Sequence, residues 1–394
     1  MSGRVWIRQL GNMGNRALQY FAAEGIRQHA PEIEIENILL PEWGLQNPHP
    51  APPPRRSART GEFRFWLDVA GFADCLRRGV VESVIIDGYP FHLDHFPPRA
   101  VARQLLGPTR GGAGAPGFAA HELACSIRAA EVLTGIHPDY IPLPPSYYRQ
   151  LAERSGLDLV FFGQLGDDFY SQSLRAAFPA ARFVPGVSPE YDFEMLRRSR
   201  NIALSVSSFA WAAAWLSEAD KIFLPVCGML HPVQHPYQLY LPLDEPEYEY
   251  TLFPYAQAAD LHKEPIKFMY AQERLGQQAR AIGVAELRGL IQRAAALFPR
   301  LPLLSGFDEA LYLTWYKDVA ALLENGLEGG GLGSALEHYH LYGFFEGRQP
   351  LWLDKAFYAS AYPDAAMAIA EGHYASPLHH YQAVGRGLGY SPVP

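Results

Sequence analysis

Between residues 123 and 225 the chain alternates short apolar runs with helical patterns so regularly that few folds can accommodate it. Residues 123–128, 157–163, 182–185, 202–206 and 221–225 read as strands, and residues 146–155, 174–178, 192–200 and 209–217 read as helices. Strands separated by helices run parallel, because each helix carries the chain back to the edge where the last strand began. Such a sheet buries both faces, which is why its strands are apolar throughout rather than alternating. The expected product is a doubly wound α/β sheet whose ligands gather at the carboxyl ends of the strands.

A second α/β unit precedes it. Residues 4–10 are a short apolar-rich run, Gly11-Asn12-Met13-Gly14-Asn15 follows, and a helical pattern then places Leu18, Phe21, Ala22 and Ile26 on one face. Residues 80–87 (VVESVIID) read as another buried strand. The proline-rich stretch 47–54 can be neither helix nor inner strand and is a loop. Residues 107–117 (GPTRGGAGAPG) form the best interdomain boundary by composition. Helical patterns at 266–275 and 277–298 are expected to cross back over the first half. At 394 residues the chain exceeds what one core usually serves. The division expected is 1–115, 116–300 and a helical module at 301–394.

That last module carries an internal repeat. FDEALYLTWYKDVA from residue 307 recurs as LDKAFYASAYPDAA from residue 353, and SALEHYHLYGFFEGR from 334 recurs as SPLHHYQAVGRGLGY from 376. The two units, 307–350 and 353–390, differ in spacing by the glycine-rich insert 329–333. Tyr312, His338 and Tyr339 are echoed by Tyr358, His380 and Tyr381. Such units need neighbours to bury their apolar faces, so the shared His and Tyr read as repeat core, with self-association through the module an open alternative.

Composition removes several function classes. A formal net charge of −8 argues against a nucleic-acid groove or an electrostatic grip on anionic lipid, both of which need clustered Lys and Arg. Three widely spaced cysteines, Cys75, Cys125 and Cys227, with no C-x-x-C pair, indicate neither a disulfide framework nor a zinc site. No signal-peptide pattern opens the chain and no window approaches roughly 18 apolar residues in a row, so a cytoplasmic protein without a membrane span is expected.

The residues able to do chemistry cluster at the predicted strand ends. Glycines in the 11–15 loop let backbone N–H groups approach a ligand, and the following helix start favours anions. Arg128 ends a predicted strand, where a guanidinium can grip a diphosphate bidentately. Ser205, Ser207 and Ser208 stand between a strand and a helix, where hydroxyls cap the helix or bind phosphate.

Three stretches together resemble a known family. Residues 192–225, DFEMLRRSRNIALSVSSFAWAAAWLSEADKIFLP, are similar to the C-terminal motif of bacterial α1,2-fucosyltransferase-like and nodulation-type fucosyltransferases. Residues 11–20, GNMGNRALQY, are similar to their N-terminal G-x-x-G-N motif, and Arg128 falls at the arginine of their H-x-R-x-G-D motif. The resemblance spans residues 4–255. It implies a GT-B-type fold of two Rossmann-like domains facing a cleft, with 1–115 on the acceptor side and 116–300 binding the nucleotide sugar. It implies inverting, metal-independent transfer from a nucleotide sugar, GDP-fucose first, to a glycan or glycoconjugate, with no cofactor. Donor-binding roles then fall on Gly11, Asn12, Gly14, Asn15, Arg128, Ser205, Ser207 and Ser208, with Asp192 or Glu194 at the nucleoside. Ser126 replaces the family's histidine, and Ala130-Glu131 replace its Gly-Asp.

A base must take the acceptor hydroxyl proton. Glu131, His121 and the group His92, Asp94 and His95 are the candidates, and His231, Gln234 and His235 are possible sugar contacts. His92-x-x-His95 with Asp87 and Asp94 lacks a third and fourth ligand at metal-site spacing. Two alternatives stay open: another nucleotide-sugar donor on the same scaffold, or a glycan-binding protein that has lost catalysis.

Overall fold

The structure, a computed structural model, describes residues 3–49, 56–61, 65–257, 265–296, 301–324 and 332–394. Most of the proline-rich stretch (residues 50–54), residues 329–331 of the glycine-rich insert and residues 297–298 of the last predicted helix lie outside them.

The first half is built on a four-stranded parallel sheet in the order β2-β1-β6-β5. Its strands are β1 (Arg4–Ile7), β2 (Glu34–Glu36), β5 (Ser57–Arg59) and β6 (Ser83–Ile86), with a separate hairpin of β3 (Ile38–Leu40) and β4 (Leu45–Asn47). Val5, Ile7, Val84 and Ile86 are buried, because helices α1 (Met13–His29) and α2 (Val69–Arg77) complete the core around them.

The second half is the doubly wound sheet expected from the alternation. Its order is β13-β12-β11-β10-β7-β8-β9. The strands are β7 (Glu122–Ile127), β8 (Asp158–Gly163), β9 (Arg182–Pro185), β10 (Asn201–Ala203), β11 (Lys221–Val226), β12 (Tyr248–Leu252) and β13 (Arg280–Ile282). All pairings are parallel except that of β13 with β12. Helix α3 (Arg99–Leu105), although it precedes the glycine-rich stretch, sits on this half, where Arg99 bonds to the carbonyl of Trp215 at 2.7 Å and pairs with Glu245 and Glu247. Helices α4 (Pro145–Ser155), α5 (Phe169–Ala177), α6 (Pro189–Arg197) and α7 (Ser208–Trp215) alternate with the strands.

Two expectations are corrected here. The helices near 266–298, α8 (Pro265–Gln278) and α9 (Val284–Ala296), are separated by the edge strand β13. Helix α8 packs on α4, with Phe268 edge-on to Phe169, and so stays on the second half. The return to the first half is made by residues 304–307: Leu304 N donates to Asp68 at 2.7 Å and Arg78 donates to the Phe307 carbonyl at 2.8 Å.

The halves meet through α1 and α7. A Cβ built on Gly14 would lie 2.5 Å from the backbone nitrogen of Phe209 and 2.7 Å from the Ser208 carbonyl carbon, so the two helices touch backbone to backbone. Behind that contact Trp211 is fully buried, stacked on Trp215 and bonded to the Tyr240 carbonyl at 2.7 Å.

The C-terminal module contains α10 (Glu309–Trp315), α11 (Lys317–Glu324) and α12 (Ala335–His338), then α13 (Lys355–Ala361), α14 (Pro363–Ala370) and α15 (Pro377–His380). Asp308, Ser334, Asp354 and Ser376 cap their helices through side chains. Tyr312 OH meets His338 Nδ1 at 3.0 Å and Tyr358 OH meets His380 Nδ1 at 2.9 Å. Gly343 and Gly385 are glycines because those tyrosine hydroxyls would stand 2.2 and 2.1 Å from a Cβ. The first unit shares the main core, and Glu337, fully buried, pairs with Arg59 on β5 at 2.6 Å. The second keeps a small core of its own around Tyr358 and Tyr381. Among the described residues no helix is long and apolar enough to cross a membrane.

Replacing Gly14 with Ala is expected to lower stability by about 1–3 kcal/mol, since the new methyl can be accommodated only by parting two packed backbones. Denaturant unfolding monitored by tryptophan fluorescence reads this directly.

Candidate functional site

A cleft of about 970 Å³ opens between the halves. Its first wall is the β1–α1 turn, Gly11 to Arg16, with Glu42. Its second is the carboxyl ends of β7, β8, β9 and β10, where open α/β sheets bind ligands. Ten residues singled out in the sequence therefore share one site: Gly11, Asn12, Gly14, Asn15, Arg128, Glu131, Asp192, Ser205, Ser207 and Ser208.

The turn takes its shape from Gly11, whose φ of 71° is left-handed and which would otherwise collide with Asn15. Asn12 precedes α1 without capping it through its side chain, so the first amide groups of α1 face the cleft without that partner. Across the gap Ser207 precedes α7 and likewise makes no side-chain cap; its hydroxyl instead accepts from Arg128 at 3.4 Å. The other helix bordering the cleft at Asp168, α5, and α6 at Ser188 are both capped by those side chains. The Ser208 hydroxyl donates to Asn15 Oδ1, tying the two open helix starts together.

Arg128 lies between them. One guanidinium nitrogen reaches Ser207, another pairs with Glu131 at 3.0 Å, and the plane rests 4.4 Å from the Tyr140 ring. Its Nε is buried with no partner among the described residues. Glu131 is held in turn by Gln164 at 3.1 Å. Beneath them Ser126 and Ser205 share a hydrogen bond at 3.1 Å. Ala130, in the position where the resemblance places glycine, has φ of 37°, a left-handed conformation that strains a residue bearing Cβ.

Asp192 and Glu194, alternatives in the sequence, part company. Asp192 lines the cleft, accepts from Val187 N at 2.9 Å, and has its carboxyl raised above the usual range by burial. Glu194 is buried away from the cleft, accepting from Thr109 N at 2.9 Å and pairing with Arg198. It holds the glycine-rich stretch in place.

The remaining candidates stand elsewhere. His121 precedes β7, at the amino end of a six-residue strand. It is therefore about 20 Å from the carboxyl end that forms the cleft. His95 is fully buried, with Nδ1 donating to the Pro90 carbonyl at 3.0 Å and Nε2 accepting from Leu67 N at 2.7 Å, a core histidine with both nitrogens satisfied. His92 is buried beside it, and Asp94 points to solvent. His231 is buried in its own turn, and Gln234 donates to the Ala256 carbonyl at 2.9 Å. None of these six lines the cleft. Among the described residues no three His, Cys, Asp or Glu side chains are grouped to hold a metal ion, so His92 and His95 form no such site with Asp87 and Asp94. Sequence reasoning passed over Gln164, Asp168, Tyr140 and the Gly186–Ser188 turn; the D-x-x-S and S-P-E helix starts at Asp168 and Ser188 were the available signals.

No family model matches the chain, and no curated protein matches it. Among solved structures it is similar to a mutant of Arabidopsis thaliana FUT1 in complex with GDP, at 11% identity and a TM-score of 0.39 over 57% of this chain and 70% of that one. It is similar to E. coli heptosyltransferase WaaC with ADP, at 12% identity and a TM-score of 0.36 over 74% of this chain and all of that one. It is also similar to E. coli ADP-heptose LPS heptosyltransferase II, at 10% identity and a TM-score of 0.34 over 70% and 99% of the two chains.

Relieving the strain at Ala130 with glycine is expected to stabilise the fold by about 1 kcal/mol, read as a raised unfolding midpoint. His95 predicts the acid response. Burial, reinforced by His92, lowers its pKa to about 3, whereas the unfolded chain protonates near pH 6.5. Only the unfolded state gains this proton between those values, so stability is flat above about pH 6.5 and falls below it. The expected slope is about 1.4 kcal/mol per pH unit, and His95→Gln should flatten it in pH-dependent urea titrations.

Proposed function

We propose that this chain is a glycosyltransferase that moves a sugar, fucose in the first instance, from GDP-fucose to a hydroxyl of a glycan or glycoconjugate. The observation that carries this reading is Arg128, set at the carboxyl end of β7 between two helix starts that no side chain caps. Two oriented helix amino ends and a guanidinium make a receptor for a diphosphate, whose leaving charge they neutralise as the sugar departs. The guanidinium then does the work a divalent cation does in other transferases, and transfer is a single displacement with inversion. Asp192, beside the Gly186 turn, is placed to accept from the N–H edge of a guanine. Ser126 and Ser205 supply the polar floor on which phosphate oxygens rest.

Isothermal calorimetry with GDP, GDP-fucose, GDP-mannose, UDP and UDP-sugars, each with and without EDTA, tests the reading. Selective, EDTA-insensitive binding of GDP-fucose supports it. Arg128→Ala should weaken that binding about 10- to 100-fold, the worth of one or two charge-assisted bonds, while the unfolding midpoint stays within about 0.5 kcal/mol. Binding of a different nucleotide sugar changes the donor and keeps the mechanism. Failure to bind any of them returns the chain to the glycan-binding reading.

A further inference from the structure

Outside the cleft, the described residues line a second cavity of about 400 Å³, within the range that holds small ligands. It lies between the segment leaving β12 and helix α8. Pro254 and Tyr255 come from the first, and Tyr270, Arg274 and Gln278 from the second. Because β10, β11 and β12 run parallel, the end of β12 is at the same edge of the sheet as the strand ends that wall the cleft. The cavity is two strands from β10 and three from β7. Along the sheet that is about 10–15 Å from the serine turn and Arg128.

Helix α8 is fixed by its inner face. Phe268 is fully buried against Phe169, the neighbour of the cleft residue Asp168, and Gln272 donates to the Pro142 carbonyl. A Cβ on Gly276 would lie 2.0 Å from Ser146 Oγ. Tyr270, Arg274 and Gln278 recur every four residues and so form one stripe, apart from those anchors. Tyr270 is 75% exposed, and Tyr255 beside it in the cavity wall is 64% exposed. Single exposed rings are ordinary. The other exposed Trp, Tyr and Phe rings among the described residues touch a neighbouring ring: Trp315 meets Trp352, Tyr342 meets His338 and Phe345 meets Phe344. Tyr255 and Tyr270 contact no ring among the described residues, and both border one cavity.

Arg274 adds charge to the same wall. It is exposed, its guanidinium makes no ion pair or hydrogen bond among the described residues, and no Asp or Glu lines the cavity. Elsewhere in this acidic chain arginines are held by carboxylates, as Arg128 is by Glu131, Arg154 by Glu249 and Arg348 by Asp318. Gln278 brings an amide that both donates and accepts. The four groups define a ligand. Two aromatic faces suit the C–H face of a pyranose ring, a guanidinium suits a carboxylate, and an amide suits hydroxyls. A hexuronic acid carries all three. A phosphate would satisfy Arg274 and leave both rings unused.

We propose that this cavity binds a glycan bearing hexuronic acid, and that this glycan is the acceptor presented to the cleft. The acceptor role rests on the glycosyltransferase reading; the binding of an acidic glycan does not. Tyr255 and Tyr270 hold the sugar ring, Arg274 holds its carboxylate and Gln278 holds a hydroxyl. An oligosaccharide anchored here runs along the carboxyl edge for about 10–15 Å to the donor. The accepting hydroxyl therefore belongs to a sugar further along the strand than the anchored uronate.

The test is calorimetric binding of tetrasaccharides to the full chain at low salt: tetragalacturonate, tetramannuronate and the glucuronate-containing hyaluronan tetrasaccharide. Maltotetraose is the neutral control, and GDP-fucose binding is measured beside them. At least one uronate probe is expected to bind about tenfold or more tightly than maltotetraose, and to weaken as salt rises. Tyr255→Ala and Tyr270→Ala should each weaken it about 5- to 20-fold. Arg274→Gln should remove the advantage over maltotetraose. GDP-fucose affinity should stay within about twofold in all three variants, and unchanged urea midpoints show that they fold. Equal binding of acidic and neutral probes, binding of none of them, or uronate binding untouched by all three substitutions overturns the proposal. Uronate binding at this cavity in a chain that binds no nucleotide sugar keeps the glycan site and overturns the acceptor role along with the transferase reading. Donor binding without uronate binding overturns the glycan site and leaves that reading standing.

Discussion

Everything in this molecule depends on two helix starts being brought against each other. Helix α1 follows the first strand of the first sheet, and α7 follows β10 of the second, and they meet where Gly14 lies on the backbone of Ser208 and Phe209. Helices whose axes approach this closely need a residue without a side chain at the crossing. The approach does two things at once. It fuses the cores of both halves, with Trp211, Phe96 and Tyr240 packed behind it. It also sets two positive helix ends side by side at the floor of one cleft, which is an unfavourable arrangement of like partial charge unless an anion occupies it. The Ser208–Asn15 bond fastens the arrangement in place.

Arg128 adds a full positive charge to the same spot, and the surrounding chain shows how it is restrained. Glu131 neutralises one edge of the guanidinium, Tyr140 supports its face, and Ser207 takes another nitrogen, leaving Nε buried and unpaired. A buried unpaired donor on a charged group is costly. The strained backbone at Ala130 lies in the same turn. Strain and unsatisfied polarity in one short turn are what a binding site retains when its ligand supplies the missing bonds.

Much of this was legible in the sequence, because strand alternation and the carboxyl-end rule are consequences of chain geometry. The strands at 182–185 and 221–225 coincide with β9 and β11 to within a residue, and Arg128 and the serines fall in the cleft by that rule alone. The short edge strand β13 escaped because three residues, paired on one side only, carry no periodicity. The start of α5 at Phe169 escaped although Asp168 caps it and Tyr170 in its first turn is buried. His92, His95 and His231 read as site residues and proved to be core, since a histidine satisfied by carbonyl and amide partners has the same sequence signature as one held open for a ligand. Nor does spacing distinguish Asp192 from Glu194; one turn direction sends the first to the cleft and the second to Thr109.

The repeats follow from the same reasoning about edges. Strand β5 is the last strand of the first sheet, and an uncovered edge presents unpaired backbone groups to any passing strand. The first repeat covers it. Arg59 pairs with the buried Glu337, the Thr60 carbonyl meets His340 Nε2 at 3.0 Å, and the Thr60 hydroxyl accepts from the backbone of Asp87 at 3.0 Å. Asp87, at the carboxyl end of β6, pairs with Arg8 at the end of β1. A continuous run of bonds thus joins the repeat to the strand ends of the first half, on the side that faces the cleft across from Arg128. Removing one partner from a buried ion pair such as Glu337–Arg59 costs far more than the pair contributes. The first repeat is therefore built into the edge of the first half, while the second, with a separate core, is joined to that half by Arg386 on Asp74 and Gln382 on the Leu303 carbonyl.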